Sequence, residues 1–102
     1  MFGFLRYLFG YRRLEHLHFT LFTRQGCHLC EDAELLLQKE QQRYHYQLEI
    51  VDVDSQKELV ARFGEQVPVV TVNGEIRFRG TINPVLLARL LRAEVRHGNK
   101  VV

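Results

Sequence analysis

The chain has no tryptophan, only two cysteines and only two prolines among its 102 residues. Two cysteines cannot make the disulfide framework that holds many small secreted domains, so packing must hold this one. Hydrophobic residues make up 46% of the sequence, enough for one core, and the length is that of one domain. No apolar run is long enough to span a bilayer. Excess charge of one sign is also lacking. The formal net charge is +2, too small to argue for nucleic acid, and the 25% of charged residues is ordinary for a soluble chain. No repeat, linker or low-complexity segment is present.

What is there centres on Thr23-Arg24-Gln25-Gly26-Cys27-His28-Leu29-Cys30, which holds both cysteines in a C-x-x-C spacing. An apolar, β-prone run over 17–22 precedes it and a helix-prone run over 31–42 follows. The cysteines therefore sit where a strand turns into a helix. A C-x-x-C near a βαβ pattern, without the cysteine usage of a secreted domain, reads as a cytoplasmic redox dithiol. A thiolate is the attacking species, and the unpaired N–H groups of a helix start favour an anion there. Two intervening residues place the second sulfur about one helical turn on, within reach of the first. The expected cycle has Cys27 attacking a disulfide and Cys30 resolving the mixed disulfide, after which a thiol reductant reopens the Cys27–Cys30 bond. Glu31 and Asp32 favour the helix start but oppose a thiolate, whereas His28 and Arg24 would support one if close. His28 and Glu31 are thus candidate modulators, or else plain helix-start residues.

In chain order, residues 16–23 predict the first strand, with Leu17, Phe19 and Leu21 alternating with His16, His18 and Thr20, and Phe22 facing the other side. His16 and His18 read as a solvated face; with His45 they do not have metal-ligand spacing, and no metal site is expected. A helix follows from Cys27 or His28 to about Arg43, burying Leu29, Ala33, Leu36 and Leu37, with Leu35 flanking. Residues 44–54 predict the second strand. Ser55-Gln56-Lys57-Glu58 has the form of a capping box, opening a short helix through Leu59, Val60 and Phe63 that Gly64 closes. Pro68 opens a third strand over 66–72. Asn73-Gly74 is a hairpin signal leading to an edge strand over 75–79, with Ile76 and Phe78 inward. Asn83-Pro84 starts a last helix that buries Leu87, Leu90, Leu91 and Val95 and ends at Gly98. Arg89, Arg92 and Arg96 share its other face, read as solvated.

These elements predict an α/β domain of order β-α-β-α-β-β-α, with a four-stranded mixed sheet and helices on both faces. Residues 16–98 are its extent, 99–102 a frayed tail and 1–15 an aromatic, basic lead-in. Residues 1–13, with Arg6 among aromatics and no small-residue cleavage site, do not read as a signal peptide. They either pack on the domain or make a membrane-surface or partner contact.

The strand-to-helix C-x-x-C, the Val67-Pro68 pair opening the third strand and the element order resemble the thioredoxin superfamily, and within it the glutaredoxins. The string Cys27-His28-Leu29-Cys30-Glu31 looks like a small, mostly uncharacterised glutaredoxin-like group. The resemblance implies a thiol–disulfide oxidoreductase with roles in electron transfer and cell redox homeostasis. It makes Cys27 the exposed nucleophile, Cys30 the resolving thiol and Pro68 cis, with the Val67 backbone offered to an incoming peptide or glutathione. Arg24 matches the family's basic residue three before the first cysteine. Arg79-Gly80-Thr81 stands where glutaredoxins have a Gly-Gly turn and an acidic residue, so Arg24, Val67, Pro68, Arg79 and Gly80 form an altered glutathione site. Dithiol glutaredoxins usually carry proline and an aromatic between the cysteines, and thioredoxins a preceding tryptophan; this chain has neither. No resident cofactor is implied, with glutathione as a co-substrate, a disulfide-containing protein or glutathione mixed disulfide as substrate, no nucleic-acid partner and a monomer. The other readings are a non-catalytic interaction module on the same scaffold and a metal or iron–sulfur module. The latter needs ligands beyond the two that one C-x-x-C supplies.

Overall fold

The structure is a computed structural model that describes residues 13–101; the two readings of residues 1–13 fall almost wholly outside it. Strand β1 is His18–Thr23, helix α1 His28–Tyr44 and β2 Gln47–Asp52. A 3-10 turn, Val53–Ser55, leads to α2, Lys57–Phe63; β3 is Val69–Val72, β4 Glu75–Arg79 and α3 Pro84–Val101. The sheet order is β2-β1-β3-β4, with β1 parallel to β2 and antiparallel to β3, and β3 antiparallel to β4. This is the expected mixed α/β sheet.

Alternation along the two central strands makes two cores. Phe19 and Leu21 of β1 and Val70 and Val72 of β3 face one way, onto Ala33 and Leu37 of α1 and Leu87, Leu90 and Leu91 of α3. Phe22 and Val69 face the other way, with Val53 and Phe63. Both faces of β1 and β3 are covered, which explains their near-continuous apolar character. Asn73 and Gly74 take φ 51 and 86, the paired left-handed residues of a tight hairpin. The Asn83 side chain accepts from the N–H groups of Val85 and Leu86 at 2.9 and 3.3 Å, capping α3 as the Asn-Pro pair implies.

Several sequence expectations need correction. Tyr44 belongs to α1, not to the second strand. His45, at φ 58, ends the helix with its N–H on the Gln41 carbonyl, and the Tyr44 carbonyl takes the N–H of Leu14 at 2.7 Å. Its aromatic ring suggests a strand, yet it is buried from the helix side. The Ser55–Glu58 capping box does not form: Gln56 precedes α2 with no side-chain cap, while the Ser55 hydroxyl donates to the Asp52 carbonyl at 2.6 Å. Ile76 and Phe78 do not share a face. Register runs from Val70↔Phe78 to Thr71↔Ile76, so Arg77 is the extra residue of a bulge. The bulge flips the alternation, leaving Phe78 in the α1/α3 core and Ile76 against α2. Leu29, at 46% exposed, lies off the buried stripe of α1. Helix α3 passes through Gly98 to Val101 rather than ending at the glycine.

Tyr46 lies under the sheet against Phe19, with ring centroids 4.2 Å apart, and its hydroxyl donates to the Leu37 carbonyl. Burial, with a smaller contribution from Glu40, pushes its phenol well above the usual 10.0. Above pH ~10 the unfolded chain gives up this proton while the folded one keeps it, so the unfolded state binds fewer protons and stability falls as pH rises. Below that pH the contribution is fully present. Urea midpoints at rising pH should therefore drop more steeply in the wild type than in Tyr46→Phe; equal alkaline losses would contradict the assignment.

Candidate functional site

The site gathers where the sheet's ends meet the start of α1. Phe22 pairs with Val69 and Thr23 with Asp52, so the motif after β1 lies beside Pro68 on one flank and the turn after β2 on the other. Chain ends of this kind, at the carboxyl edge of parallel strands, are where open α/β sheets place their sites. Gly26, at φ 77, makes the turn that a side chain would strain, and the helix starts one residue after Cys27.

Cys27 is the N-cap of α1, in extended conformation, and its sulfur accepts the N–H of Cys30 at 3.1 Å. A sulfur thus occupies the position usually taken by a serine or aspartate oxygen, on one of the orphan donors of the helix start. Cys27 and Cys30 form a disulfide, with Cα atoms 5.2 Å apart. The two differ in access: Cys27 is partly exposed, whereas Cys30 is 1% exposed and part of the core. Leu29 stands in the open between them.

The flanking residues divide into two sets. The Val67–Pro68 bond is cis, as the resemblance implies; Pro68 is fully buried and Val67 half-buried. The Pro68 carbonyl takes the N–H of Gly80 at 2.8 Å, and Gly80 sits at φ 79. Val67, Pro68 and Gly80 are therefore joined at one flank, with Arg79 exposed at the end of β4. His28 and Glu31 point into solvent, 97% and 70% exposed, and face each other at 3.9 Å, a distance at which an exposed pair contributes little.

Arg24 is engaged within the fold. Its Nε and Nη2 donate to the two carboxylate oxygens of Asp54 at 3.0 and 2.9 Å, and Nη1 donates to the Gly64 carbonyl at 3.0 Å. The hydrogen bonds and charge of Asp54 hold its pKa above the ordinary arginine value. This fork ties the turn before Cys27 to the turn after β2 and to the end of α2. Sequence reasoning missed Asp54 as the partner; its place just past β2, at the same sheet end as the motif, was the available signal. Gly64 closes α2 as its C-cap, as the sequence implies. Gly64 is right-handed, at φ −52, and is needed for space: a Cβ there would lie 2.6 Å from the Val60 carbonyl oxygen and 3.3 Å from Arg24 Nη1. Among the described residues, no group of three or more histidines, cysteines or acids is placed to hold a metal.

The fold, the C-x-x-C at a strand-to-helix turn and the cis proline are those of the thioredoxin superfamily. Within it, the chain belongs to the glutaredoxin-like domain family (DUF836), whose model matches residues 18–92. Among solved structures it is similar to a point-mutant thioredoxin from Halobacterium salinarum, at TM-score 0.62 and 18% identity over 86% of this chain and 82% of that one. It is similar to thioredoxin-2 of the malaria parasite, at TM-score 0.60 and 20% identity over 76% and 82%. It also resembles the oxidised mitochondrial thioredoxin 3 of Saccharomyces cerevisiae, at 0.58 and 18% over 87% and 89%. No curated protein matches the chain by sequence. At these identities the structural likeness concerns the fold. The family match and the Cys27–Cys30 pair support a redox-type role.

Gly64→Ala should cost about 1–3 kcal/mol, the usual effect of overpacking, because the new methyl meets backbone on one side and the Arg24 fork on the other. A urea midpoint equal to the wild type would show that the α2 end has room to shift and that the fork does not depend on this glycine.

Proposed function

We propose that the protein is a thiol–disulfide oxidoreductase in which Cys27 is the nucleophile and Cys30 the resolving thiol. The observation that carries this reading is the unequal placement of the two sulfurs. One is accessible and held on a helix-start N–H, where a thiolate is favoured; the other is buried a turn deeper, out of a substrate's reach but beside the first.

The cycle balances with two electrons. The Cys27 thiolate attacks a substrate disulfide, forming a mixed disulfide and releasing one substrate thiolate, which takes up a proton. The Cys30 thiol then loses its proton and attacks the Cys27 sulfur, releasing the second substrate thiol and leaving the Cys27–Cys30 disulfide. An external thiol reductant restores the dithiol and is itself oxidised. One chain supplies both sulfurs, so a monomer suffices and no resident cofactor enters. Val67, ahead of the cis proline, offers backbone to an extended substrate segment, and exposed Leu29 offers it an apolar contact. Residues 16–98 form the redox domain, in a reducing compartment such as the cytoplasm.

Glutathione fits this site poorly. Arg24 already spreads its fork over Asp54 and Gly64, which leaves exposed Arg79 as the cation for a glutathione carboxylate. The Gly-Gly-acidic turn is replaced by Gly80-Thr81-Ile82. Each missing charge-assisted hydrogen bond weakens binding about tenfold or more. With dithiothreitol as donor, the protein should accelerate disulfide reduction, and Cys27→Ser should fall to the uncatalysed rate. With glutathione and glutathione reductase as donors, turnover of a glutathione mixed disulfide should be slow, and Arg24→Ala should not reduce it much further. Rapid glutathione turnover that collapses in Arg24→Ala would overturn the glutathione reading, and unchanged activity in Cys27→Ser would overturn the enzyme.

A further inference from the structure

At the far end of α1 from the dithiol, a cleft of about 590 Å³ lies between the last turn of α1 and the later turns of α3. Among the described residues it is lined by Arg43, Tyr44, Arg92, Val95 and Arg96, three cations from two helices and no acid. Arg43 has two reasons to be there. The last turn of α1 is where the helix dipole favours a cation, and Glu40 approaches it at 3.8 Å. Neither reason extends to the other two. Arg92 and Arg96 stand four residues apart, the spacing at which like charges repel. Both lie more than a turn short of the end of α3 at Val101, out of reach of its dipole. Neither forms an ion pair among the described residues, and Glu94, the acid between them on the same helix, contacts His16 at 3.3 Å instead. The fold thus brings three guanidinium groups to one recess and leaves two of them without a counter-charge.

Size and lining narrow the anion. The volume falls within the roughly 300–1,000 Å³ of sites that enclose a small molecule. Guanidinium forks match phosphate oxygens two at a time. A terminal phosphate carries about −1.5 to −2 near neutral pH, so one phosphate leaves three arginines short of neutrality and two linked phosphates match them. Tyr44 is only 8% exposed and has Arg43 over its ring at 5.7 Å, so it offers no open face for a base to stack on. The phosphates therefore carry the recognition. A duplex or a bilayer would spread its phosphates over a broad surface, whereas these arginines line a recess, and the chain's net charge of +2 is low for either.

We propose that this cleft binds a small diphosphate, with Arg43, Arg92 and Arg96 sharing its oxygens. The diphosphate is either inorganic pyrophosphate or the diphosphate group of a small organic molecule, whose remainder would lie toward Val95. Helix α1 rises about 1.5 Å per residue, and its 17 residues separate the cleft from the dithiol by roughly 25 Å. The ligand does not touch Cys27, and the proposal does not depend on the oxidoreductase reading.

The test is titration calorimetry of the full chain at fixed ionic strength with pyrophosphate, ADP, orthophosphate and citrate, alongside thermal unfolding with each. Pyrophosphate or ADP should bind one to a chain and raise the thermal midpoint as its concentration rises. Orthophosphate and citrate should bind at least tenfold more weakly. Arg92→Gln/Arg96→Gln should weaken pyrophosphate binding about a hundredfold, at about tenfold for each lost charge-assisted contact. Its urea midpoint should not fall, because the change removes a repulsion on an exposed helix face. Arg89→Gln takes the same charge from the same helix outside the cleft and should bind as the wild type does. Tighter binding of ADP than of pyrophosphate would assign the site to an organic diphosphate, and the reverse to the inorganic one. The proposal is overturned if neither diphosphate binds, if orthophosphate or citrate binds as tightly, or if Arg89→Gln loses as much as the double variant. Tighter binding to duplex DNA or to phosphatidylglycerol vesicles than to either diphosphate would likewise overturn it and assign the arginines to a macromolecular surface.

Discussion

The N–H of Cys30 has no partner inside its own helix, and the sulfur of Cys27 takes it. The rest of the site depends on that bond. It requires the chain to leave β1, turn at Gly26 and present Cys27 in extended conformation one residue before the helix begins. It requires the second sulfur to lie one turn deeper, where it joins the core. A hydroxyl or carboxylate would cap the helix as well, but only a sulfur at that position can also exchange with a disulfide. The element that stabilises the helix is thus the element that lowers the cost of a thiolate.

Two pins hold that geometry from either side of β1. On the β2 side, Arg24 grips Asp54 with two donors and the Gly64 carbonyl with a third, and Gly64 is small enough to let the arginine pass. On the β3 side, the carbonyl of Pro68 is held by Gly80, just ahead of a strand that is itself buried on both faces. Arg24 matches the family's basic residue in its distance from Cys27 in sequence, and in the fold its three donors are spread over Asp54 and Gly64, which supports the proposal that glutathione fits this site poorly.

Most of the fold was legible in the sequence. The alternation of Phe19 and Leu21, the Asn73-Gly74 turn and the Asn83-Pro84 cap are local signals whose physics does not depend on distant residues. The dithiol was legible for the same reason, since C-x-x-C at a strand-to-helix turn carries its own geometry. What was not legible depends on partners far along the chain. Tyr44 reads as a strand residue until the Leu14 N–H is seen to take its carbonyl. Ser55-Gln56-Lys57-Glu58 reads as a capping box until Ser55 is seen to bond back to Asp52. The bulge at Arg77, which sends Ile76 and Phe78 to opposite faces, leaves no trace in a run that alternates perfectly on paper. The Arg24–Asp54 pair joins residues 30 apart, a separation that no local motif reports.

The molecule is polar in its arrangement, with sulfur chemistry at the start of α1 and an arginine cluster at its end. The central claim concerns the first of these: N-cap placement makes Cys27, and not Cys30, the reactive thiol. The direct measurement is iodoacetamide labelling of the reduced protein near neutral pH, followed by peptide mapping over time. Labelling of Cys27 well before Cys30 is the result the helix-start geometry and the burial of Cys30 require; labelling of Cys30 first, or of both at the same rate, would contradict it.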